Sequence, residues 1–516
     1  MNLHRLLQQR AAAGKPVRVG LIGAGKFGSM FLNQVPTIDG LAVSVIADLD
    51  LERARIACRT VGWDARRIAR TRFVASGAEL CADYDVEVVV EATGSPTAGI
   101  AHARAAIAAK KHIVMVNVEA DVLAGPLLAE EARAKGVVYS LAYGDQPALT
   151  CELVDWARAC GFEVAAAGKG TKYLPEYHAV TPDDVWAHYG LTPDEATAGG
   201  MNPQMFNSFL DGTKSAIEMA AIANATGLDV PANGLGFPPC GVDDLPQVLR
   251  ARETGGVLER DGMVEVVSCL ERDGRPVFRD LRWGVYVVLK ARNEYARTCF
   301  KEYGLRTDAS GWYAAMYKPY HLIGLELGIS VLSAALRAEP TGQPQGWRGD
   351  VIAVAKRNLR SGETLDGEGG YTVWGNLMSA ERSLADGGLP IGLAHHVLLK
   401  RDIAAGDIVR WTDVAVPESE AVAARREMQR RFGRNGRAIE SARQITSTAK
   451  RASVASGSAS PSRRYDNRIR RPASSSMSLT HAPCITSACI LRPACRMRLA
   501  ISCIVLTTSG WSGWPG

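Results

Sequence analysis

At 516 residues the chain is too long for a single hydrophobic core, so two or three domains are expected. Hydrophobic residues make up 47% and charged residues 22%, the balance of a soluble enzyme, and no apolar run reaches the roughly 18 residues that a membrane-spanning helix needs. The formal charge of +6 is concentrated late: 13 Lys/Arg and 2 Asp/Glu lie from Arg434 onward, so residues 1–433 carry a net −5 and offer no basic face for nucleic acid.

Residues 1–13 read as a short amphipathic helix and lack the apolar core of a signal peptide, which together with scattered cysteines (58, 81, 151, 160, 240, 269, 299) fits reduced thiols in a cytoplasm. No zinc spacing appears. The apolar run from Val17 then empties into Gly23-x-Gly25-x-x-Gly28, followed by helical spacing from Ser29 to Val35. That order suits a dinucleotide pyrophosphate. Gly23 allows the tight turn, Gly25 lets the backbone approach the phosphates, and Gly28 lets the helix sit close on the strand with its free N–H groups facing the anion. Lys26 and Phe27 lie within the same cradle. Asp48 ends the next strand, Leu41 to Asp48, where a carboxylate accepts from a ribose 2′-OH and favours NAD; Arg53 and Arg55 follow closely and partly offset it, so NADP and NAD both stand.

Helix and strand patterns alternate up to residue 161. A helix is expected over Leu51 to Cys58, a buried parallel strand over Val86 to Thr93, an Ala-rich helix over Thr97 to Lys110 and a strand over His112 to Val118. A helix over Pro126 to Lys135, a strand over Val137 to Tyr143 and a helix over Pro147 to Cys160 complete the unit. This is an α/β fold with a Rossmann-type doubly wound parallel sheet, whose ligands lie beyond the carboxyl ends of the strands. Three such ends stand out: Thr93-Gly94-Ser95-Pro96, Asn117-Val118-Glu119 and Tyr143 to Pro147. The first is expected to line the nicotinamide ribose, and Asn117 joins it in the cofactor set. Asp145 either faces the ring or caps the next helix.

From Phe162 a mixed α+β catalytic and dimerisation domain is expected to residue 340, with strands at Gly262 to Ser268 and Trp283 to Leu289 and a final apolar helix over His321 to Leu336. Pro340 to Gly346 has the composition of a linker. A third unit, 346–420, has short strands punctuated by glycine turns. Beyond residue 434 Ser, Arg, Pro and Thr dominate, which predicts a disordered basic tail; a nucleic-acid or acidic-lipid role for it is the alternative.

Hydride transfer needs a carbonyl held beside the nicotinamide and a cation or acid to stabilise the developing alkoxide. The polar stretch from Met201 to Glu218 is the place to find them. Lys214 and Glu218 lie four apart on one helical face near its N-terminus, and Asn202, Gln204, Asn207, Ser208 and Asp211 crowd the same entrance. The pattern fits an active-site pair and also a solvated surface pair. A dinucleotide-sensing or scaffold protein without catalysis is the second functional class, although it has no need of a cation–carboxylate set.

Residues 17–230 resemble the homoserine dehydrogenase superfamily, with Lys110 to Asn117 at its strand ending in Asn-Lys and Gly212 to Glu218 at its Gly-x-Asp-Ala-x-x-Lys. Here Val118 replaces that Lys, and Lys214 and Glu218 reverse the charges, so homoserine dehydrogenase activity itself is not expected. Val116 to Asp121, Tyr143 to Pro147, Gly168 to Lys172 and Tyr317 to Glu326 resemble the deoxyxylulose-phosphate reductoisomerase-like oxidoreductases. Asp402 to Val414 resembles a small β-clip (SAF-like) domain. These resemblances imply an NAD(P)-dependent oxidoreductase acting on a phosphorylated sugar or related hydroxy-carbonyl compound, as a homodimer, with no nucleic-acid or membrane partner. They imply Lys169, Lys172 and Lys214 as contacts for a substrate phosphate or carbonyl, and Glu119, Asp211 and Glu218 as oxygen ligands for Mg²⁺ or Mn²⁺. Each of those carboxylates is equally suited to a cap or a surface charge. His321 is either a substrate contact or a helix-entry residue packed on the nucleotide domain.

Overall fold

The computed structural model describes residues 2–433; the expected disordered tail, 434–516, lies outside the described residues. Its first sheet is built from β1 (Val17–Ile22), β2 (Leu41–Ala47), β3 (Arg72–Val74), β4 (Val88–Glu91), β5 (His112–Met115) and β6 (Tyr139–Leu141), all parallel in the order β3-β2-β1-β4-β5-β6. Every residue of β4 is buried, as a strand covered on both faces requires, which is why it reads as a continuous apolar run. The order reverses between β1 and β4, and that switch point opens the crevice at the carboxyl ends of the strands. β3 carries no apolar period, since only Val74 of its three residues is buried, and the sequence pattern leaves it unmarked.

The main departure in this layer follows β5. A strand was expected to run to Val118 and a helix to begin at Pro126. Instead Asn117 accepts the Ala120 N–H and caps an uninterrupted helix, Val118–Lys135, with Pro126 inside it. Residues Val118 and Ala120 to Ala129 of this helix are buried, so it is apolar on nearly all sides and shows no amphipathic period to mark its start. The shift places Glu119 in the first turn of a helix at the edge of the crevice.

The second sheet is mixed: β7 (Glu163–Thr171), β8 (Met263–Ser268), β9 (Val285–Lys290) and β10 (Tyr313–Lys318) in the order β10-β9-β7-β8, with β7 parallel to β8 and antiparallel to β9. The helix Thr213–Thr226 lies between the sheets and the third unit, with Ala216 to Ala223 buried. The expected helix at His321 begins later, at Gly328, and ends at Arg337. Residues 321–327 form turns because the chain must pass close to the dinucleotide helix: a Cβ on Gly324 (φ +77) would lie 2.6 Å from Met30 and 2.9 Å from the Phe27 carbonyl. Leu327, Val331 and Leu332 then share a core with β1.

The third unit contains β11 (Gly349–Ala355) paired with β13 (Val373–Ser379), and β12 (Thr364–Asp366), β14 (His395–Leu399) and β15 (Val414–Ala415) in a second sheet of order β12-β14-β15. The segment read as a linker is bonded in place: the Leu141 N–H donates to the Gly342 carbonyl at 2.8 Å and the Gln345 N–H to that of Asn224 at 2.8 Å. A helix over 420–433 closes the unit by pairing Arg425 with Asp350. No helix among the described residues is long and apolar enough to cross a membrane.

Candidate active site

The glycine-rich turn has the expected shape. Gly23 sits at φ +93, and a Cβ there would lie 2.7 Å from the Ala92 carbonyl, while one on Gly28 would collide with the Gly23 carbonyl. Gly25 caps the helix Lys26–Gln34 without a side-chain acceptor, so the first N–H groups of the helix face an open approach where a pyrophosphate fits. Lys26 is exposed and Phe27 half-buried in that first turn. Thr93, Gly94 and Ser95 form an exposed lip beyond β4, where Thr93 donates to the buried Glu91 at 2.5 Å.

Asp48 departs from expectation. Its carboxylate accepts from the Ala24 N–H at 2.9 Å, the Asp50 N–H at 3.0 Å and Arg53 at 2.7 Å, and its side chain is only 2% exposed. Burial pushes its pKa up, but these backbone donors and Arg53 outweigh that and hold it below the ordinary value. Asp48 thus braces the glycine turn, and Arg53 is the group that reaches solvent. Asn117 is also internal: besides its cap it donates to the Ser95 carbonyl at 2.8 Å, so it positions the lip rather than lining it.

The chemistry-bearing groups meet where three segments converge on the crevice. Along β7 side chains alternate, and the tight approach of Glu265 to Gly168 and of Leu281 to Gly170 leaves Lys169 on the opposite face. Lys169 donates to the Gln146 side chain at 3.0 Å and pairs with Glu218, the two side chains being 7% and 5% exposed. Lys214, two residues into its helix, pairs with Glu119 at 2.5 Å. Lys214, with 17% of its side chain exposed, and the buried Glu218 therefore have separate partners, which removes the solvated-pair reading. Burial works against the Lys214 ammonium, but Glu119, Glu218, Asp145 and Glu368 together raise its pKa, so it is a fixed cation.

Asp145 caps the helix Gln146–Ala159, accepting from the Gln146 N–H at 2.9 Å, while its second oxygen is buried with no partner. Burial and then Glu218 push its pKa up to about 6, against the pull of Lys214 and His321. Glu368, from the loop after β12, was not singled out by the sequence. Burial and the nearby Glu119 push it up to about 8, with Lys214 and the Ser208 hydroxyl opposing. Only its placement between glycines in Asp366-Gly-Glu-Gly-Gly370 hinted at it.

Several expected roles are corrected. Asp211 is buried against Lys356 at 2.8 Å and accepts from the Thr213 N–H, so it is neither a substrate group nor a free metal ligand. Asn207 donates to the Val180 and Gly369 carbonyls at 3.0 and 2.8 Å, and Ser208 to that of Met205 at 2.8 Å; both are buried supports, not substrate contacts. Glu119, Asp211 and Glu218 each face a different lysine, and no group of three or more His, Cys, Asp or Glu among the described residues is arranged to hold a metal ion. Their donor set does not fit Mg²⁺ or Mn²⁺. His321 opens no helix; it is half-exposed, bonded through Nδ1 to the Trp283 carbonyl at 2.7 Å, and near enough to Asp145 to lower its pKa. Lys172 donates to the His188 carbonyl, with Arg282 nearby, and both flank the Tyr189 ring at 5.8 Å, so no contact joins Lys172 to the lysine–carboxylate pairs.

Comparison with known proteins finds similarity over parts of the chain. Residues 23–141 match the family model described as the NAD binding domain of homoserine dehydrogenase, and residues 144–327 match that of the catalytic domain of oxidoreductase DRL. A stretch of 122 residues is 36% identical to the inositol 2-dehydrogenase of Acidothermus cellulolyticus, covering 23% of this chain and 33% of that enzyme, so the match spans about one third of its length. Among solved structures, the probable dehydrogenase from Thermotoga maritima is 16% identical with a TM-score of 0.34, covering 63% of this chain and 90% of that one. The myo-inositol dehydrogenase from Lactobacillus casei, solved with NAD(H) and myo-inositol, is 14% identical with a TM-score of 0.30, covering 53% and 71%. Over residues 23–327 the chain is therefore similar to NAD(P)-dependent oxidoreductases.

Proposed function

We propose that the enzyme interconverts an alcohol and a carbonyl on a small polyhydroxylated compound carrying an anionic end, a phosphorylated sugar being the substrate class that fits best. The observation that carries this is the pairing of two lysines, the buried Lys169 and the largely enclosed Lys214, with carboxylates at the carboxyl edge of the nucleotide-binding sheet. When bound, the nicotinamide donates or accepts the hydride. Lys214 then meets the oxygen on which negative charge develops; as a fixed cation it stabilises that charge and takes no proton itself. Lys169, held by Gln146 and Glu218, and the carboxylates around it suit a substrate with several hydroxyl donors. Lys172 and Arg282, with no carboxylate partner among the described ion pairs, would suit a phosphate beside the Tyr189 ring.

Reductoisomerisation is the narrower form of this reading, and its product would have a rearranged carbon skeleton. The test is turnover of sugar phosphates, sugar acids and inositols, followed by the absorbance of reduced nicotinamide. Sugar phosphates should be turned over fastest. Lys214→Ala should abolish turnover and retain dinucleotide binding. Tight dinucleotide binding without turnover of any class would favour a sensor instead, and full activity in the variant would remove Lys214 from the site.

A further inference from the structure

We infer that the third unit clamps the helix Thr213–Thr226, and that Thr213, Asn224 and Lys356 are positioning residues for the Lys214 and Glu218 this helix carries. Their role rests on the reading above that Lys214 faces the reacting oxygen. It gives the unit from residue 346 onward, outside both segments that match known families, a part in the chemistry.

The ribbon of β11 and β13 holds the helix at both ends. At its start the Thr213 hydroxyl accepts the Gly375 N–H at 2.8 Å, and the strand comes so close that a Cβ on Gly375 would lie 2.9 Å from the Thr213 methyl carbon. At its end Asn224 Oδ1 accepts the Arg348 and Gly349 N–H groups at 2.7 and 2.9 Å, and its Nδ2 donates to the Gly349 carbonyl at 3.2 Å. One turn earlier, a Cβ on Gly349 would lie 3.0 Å from the Ala220 Cα, so strand and helix backbones are in contact there. Gly375 pairs with Ala353, further along β11 from Gly349. From Gly349 to Ala353 is roughly 14 Å of ribbon and from Thr213 to Asn224 roughly 16 Å of helix, so the two attachments match in spacing. A helix tied at both ends resists sliding along its axis.

The turn leading into Lys214 is tied a second time. Lys356, directly after β11, pairs with Asp211 at 2.8 Å and donates to the Val180 and Gly370 carbonyls at 2.8 Å each, with its side chain 2% exposed. Asp211 accepts the Thr213 N–H at 2.9 Å through its carboxylate, and its carbonyl accepts from His178 at 2.7 Å. The His178 ring stacks on Trp374 of β13 at 3.8 Å. The consequence is geometric. Lys214 must meet Glu119 and Glu218 must meet Lys169, and both pairs depend on where one helix lies. A catalytic constellation works when held within about 0.5 Å, and a displacement of about 1 Å can lower the rate roughly 10²-fold.

The experiment compares wild type, Thr213→Val and Thr213→Ser on whichever sugar phosphate the wild type turns over fastest, with dinucleotide titration alongside. Valine keeps the shape and leaves the Gly375 N–H without an acceptor, so kcat should fall by about 10²-fold with dinucleotide Kd unchanged. Thr213→Ser restores the acceptor and should recover most of that loss. Lys356→Met is made together with Asp211→Asn, so that no buried carboxylate is stranded, and should show the same split between kcat and Kd even where Thr213→Val fails to fold. Amide hydrogen exchange over residues 213–218 is a readout independent of substrate: exchange faster by about tenfold or more in the Thr213→Val chain, with β1 and β4 unchanged, is expected. Wild-type kcat in the folded variants, equal losses in the valine and serine variants, or unchanged exchange over 213–218 would overturn the clamp. A wild type that turns over nothing, with exchange accelerated in the valine variant, would sink the proposed function and leave the clamp standing.

Discussion

Replacing Asp145 with asparagine should stabilise the protein at neutral pH and impair its turnover. The residue is 4% exposed, one oxygen caps Gln146 and the other has no partner. In the unfolded chain the carboxyl ionises from its ordinary value of 3.8 upward, whereas burial and Glu218 make the folded protein hold the proton to about 6. Between those pH values the folded state binds more protons than the unfolded state. Stability therefore falls as pH rises through the window and stays lower above it. Below 3.8 the penalty is absent. A gap of roughly two pH units at about 1.4 kcal/mol each makes the full penalty about 3 kcal/mol at pH 7 and above.

Asparagine keeps the oxygen that accepts the Gln146 N–H and never ionises. Urea unfolding midpoints of wild type and Asp145→Asn, measured near pH 4 and pH 7.5, should differ little at the acid value and by about 3 kcal/mol in favour of the variant at the higher one. The same variant should lose turnover, the trade expected where a site holds a buried charge for chemistry. A midpoint difference that is the same at both pH values, or that favours wild type at pH 7.5, would refute the reasoning.

Three further outcomes follow from the packing. Gly28→Ala would drive a methyl group into the Gly23 carbonyl, so dinucleotide Kd should rise by about tenfold or more in fluorescence titration, with the fold intact by circular dichroism. Arg53→Ala should move cofactor preference from NADP toward NAD by about tenfold, read from the ratio of Kd values, because it removes the solvent-facing cation and releases the Asp48 carboxylate it holds at 2.7 Å. Arg425→Met strands Asp350, since both side chains are no more than 1% exposed; unfolding should become easier by about 3–5 kcal/mol, and Asp350→Asn in the same chain should recover most of it.

The nucleotide-binding sheet was legible because its signals are local. A strand buried on both faces is an apolar run, and a pyrophosphate turn needs glycine at fixed offsets, so β1, β2 and β4 and the Gly23-to-Gly28 turn lie where the pattern put them. Lys214 and Glu218 were legible for the same reason, being four apart on one helix. Errors arose where a local rule had two outcomes. Proline starts helices and is also tolerated inside a buried one, so Pro126 misplaced a start that Asn117 sets. A carboxylate after β2 can meet a ribose or brace the turn that holds the phosphates, and Asp48 does the second.

The polar residues before Lys214 show why the site itself was harder to read than the fold. Asn207, Ser208 and Asp211 look ligand-facing in sequence because buried polar groups are rare unless they have work, and a ligand is the partner most readily imagined. In the folded chain their partners are protein groups: Asp211 pairs with Lys356, Ser208 donates within its own helix, and Asn207, with Gln204 before it, meets a glycine-rich loop from more than 150 residues downstream, whose carbonyls would otherwise be buried unpaired. Their polarity thus reports a close-packed junction. Glu119, Asp145, Lys169, Lys214 and Glu368 come from separate elements, and no spacing rule links them. What joins Asp145, Lys214 and Glu368 is burial and charge: burial pushes both carboxyls up while Lys214 opposes it, and the surrounding carboxylates hold Lys214 as a cation against its own burial, so a pH–rate profile measured on single variants reads the three as one coupled unit.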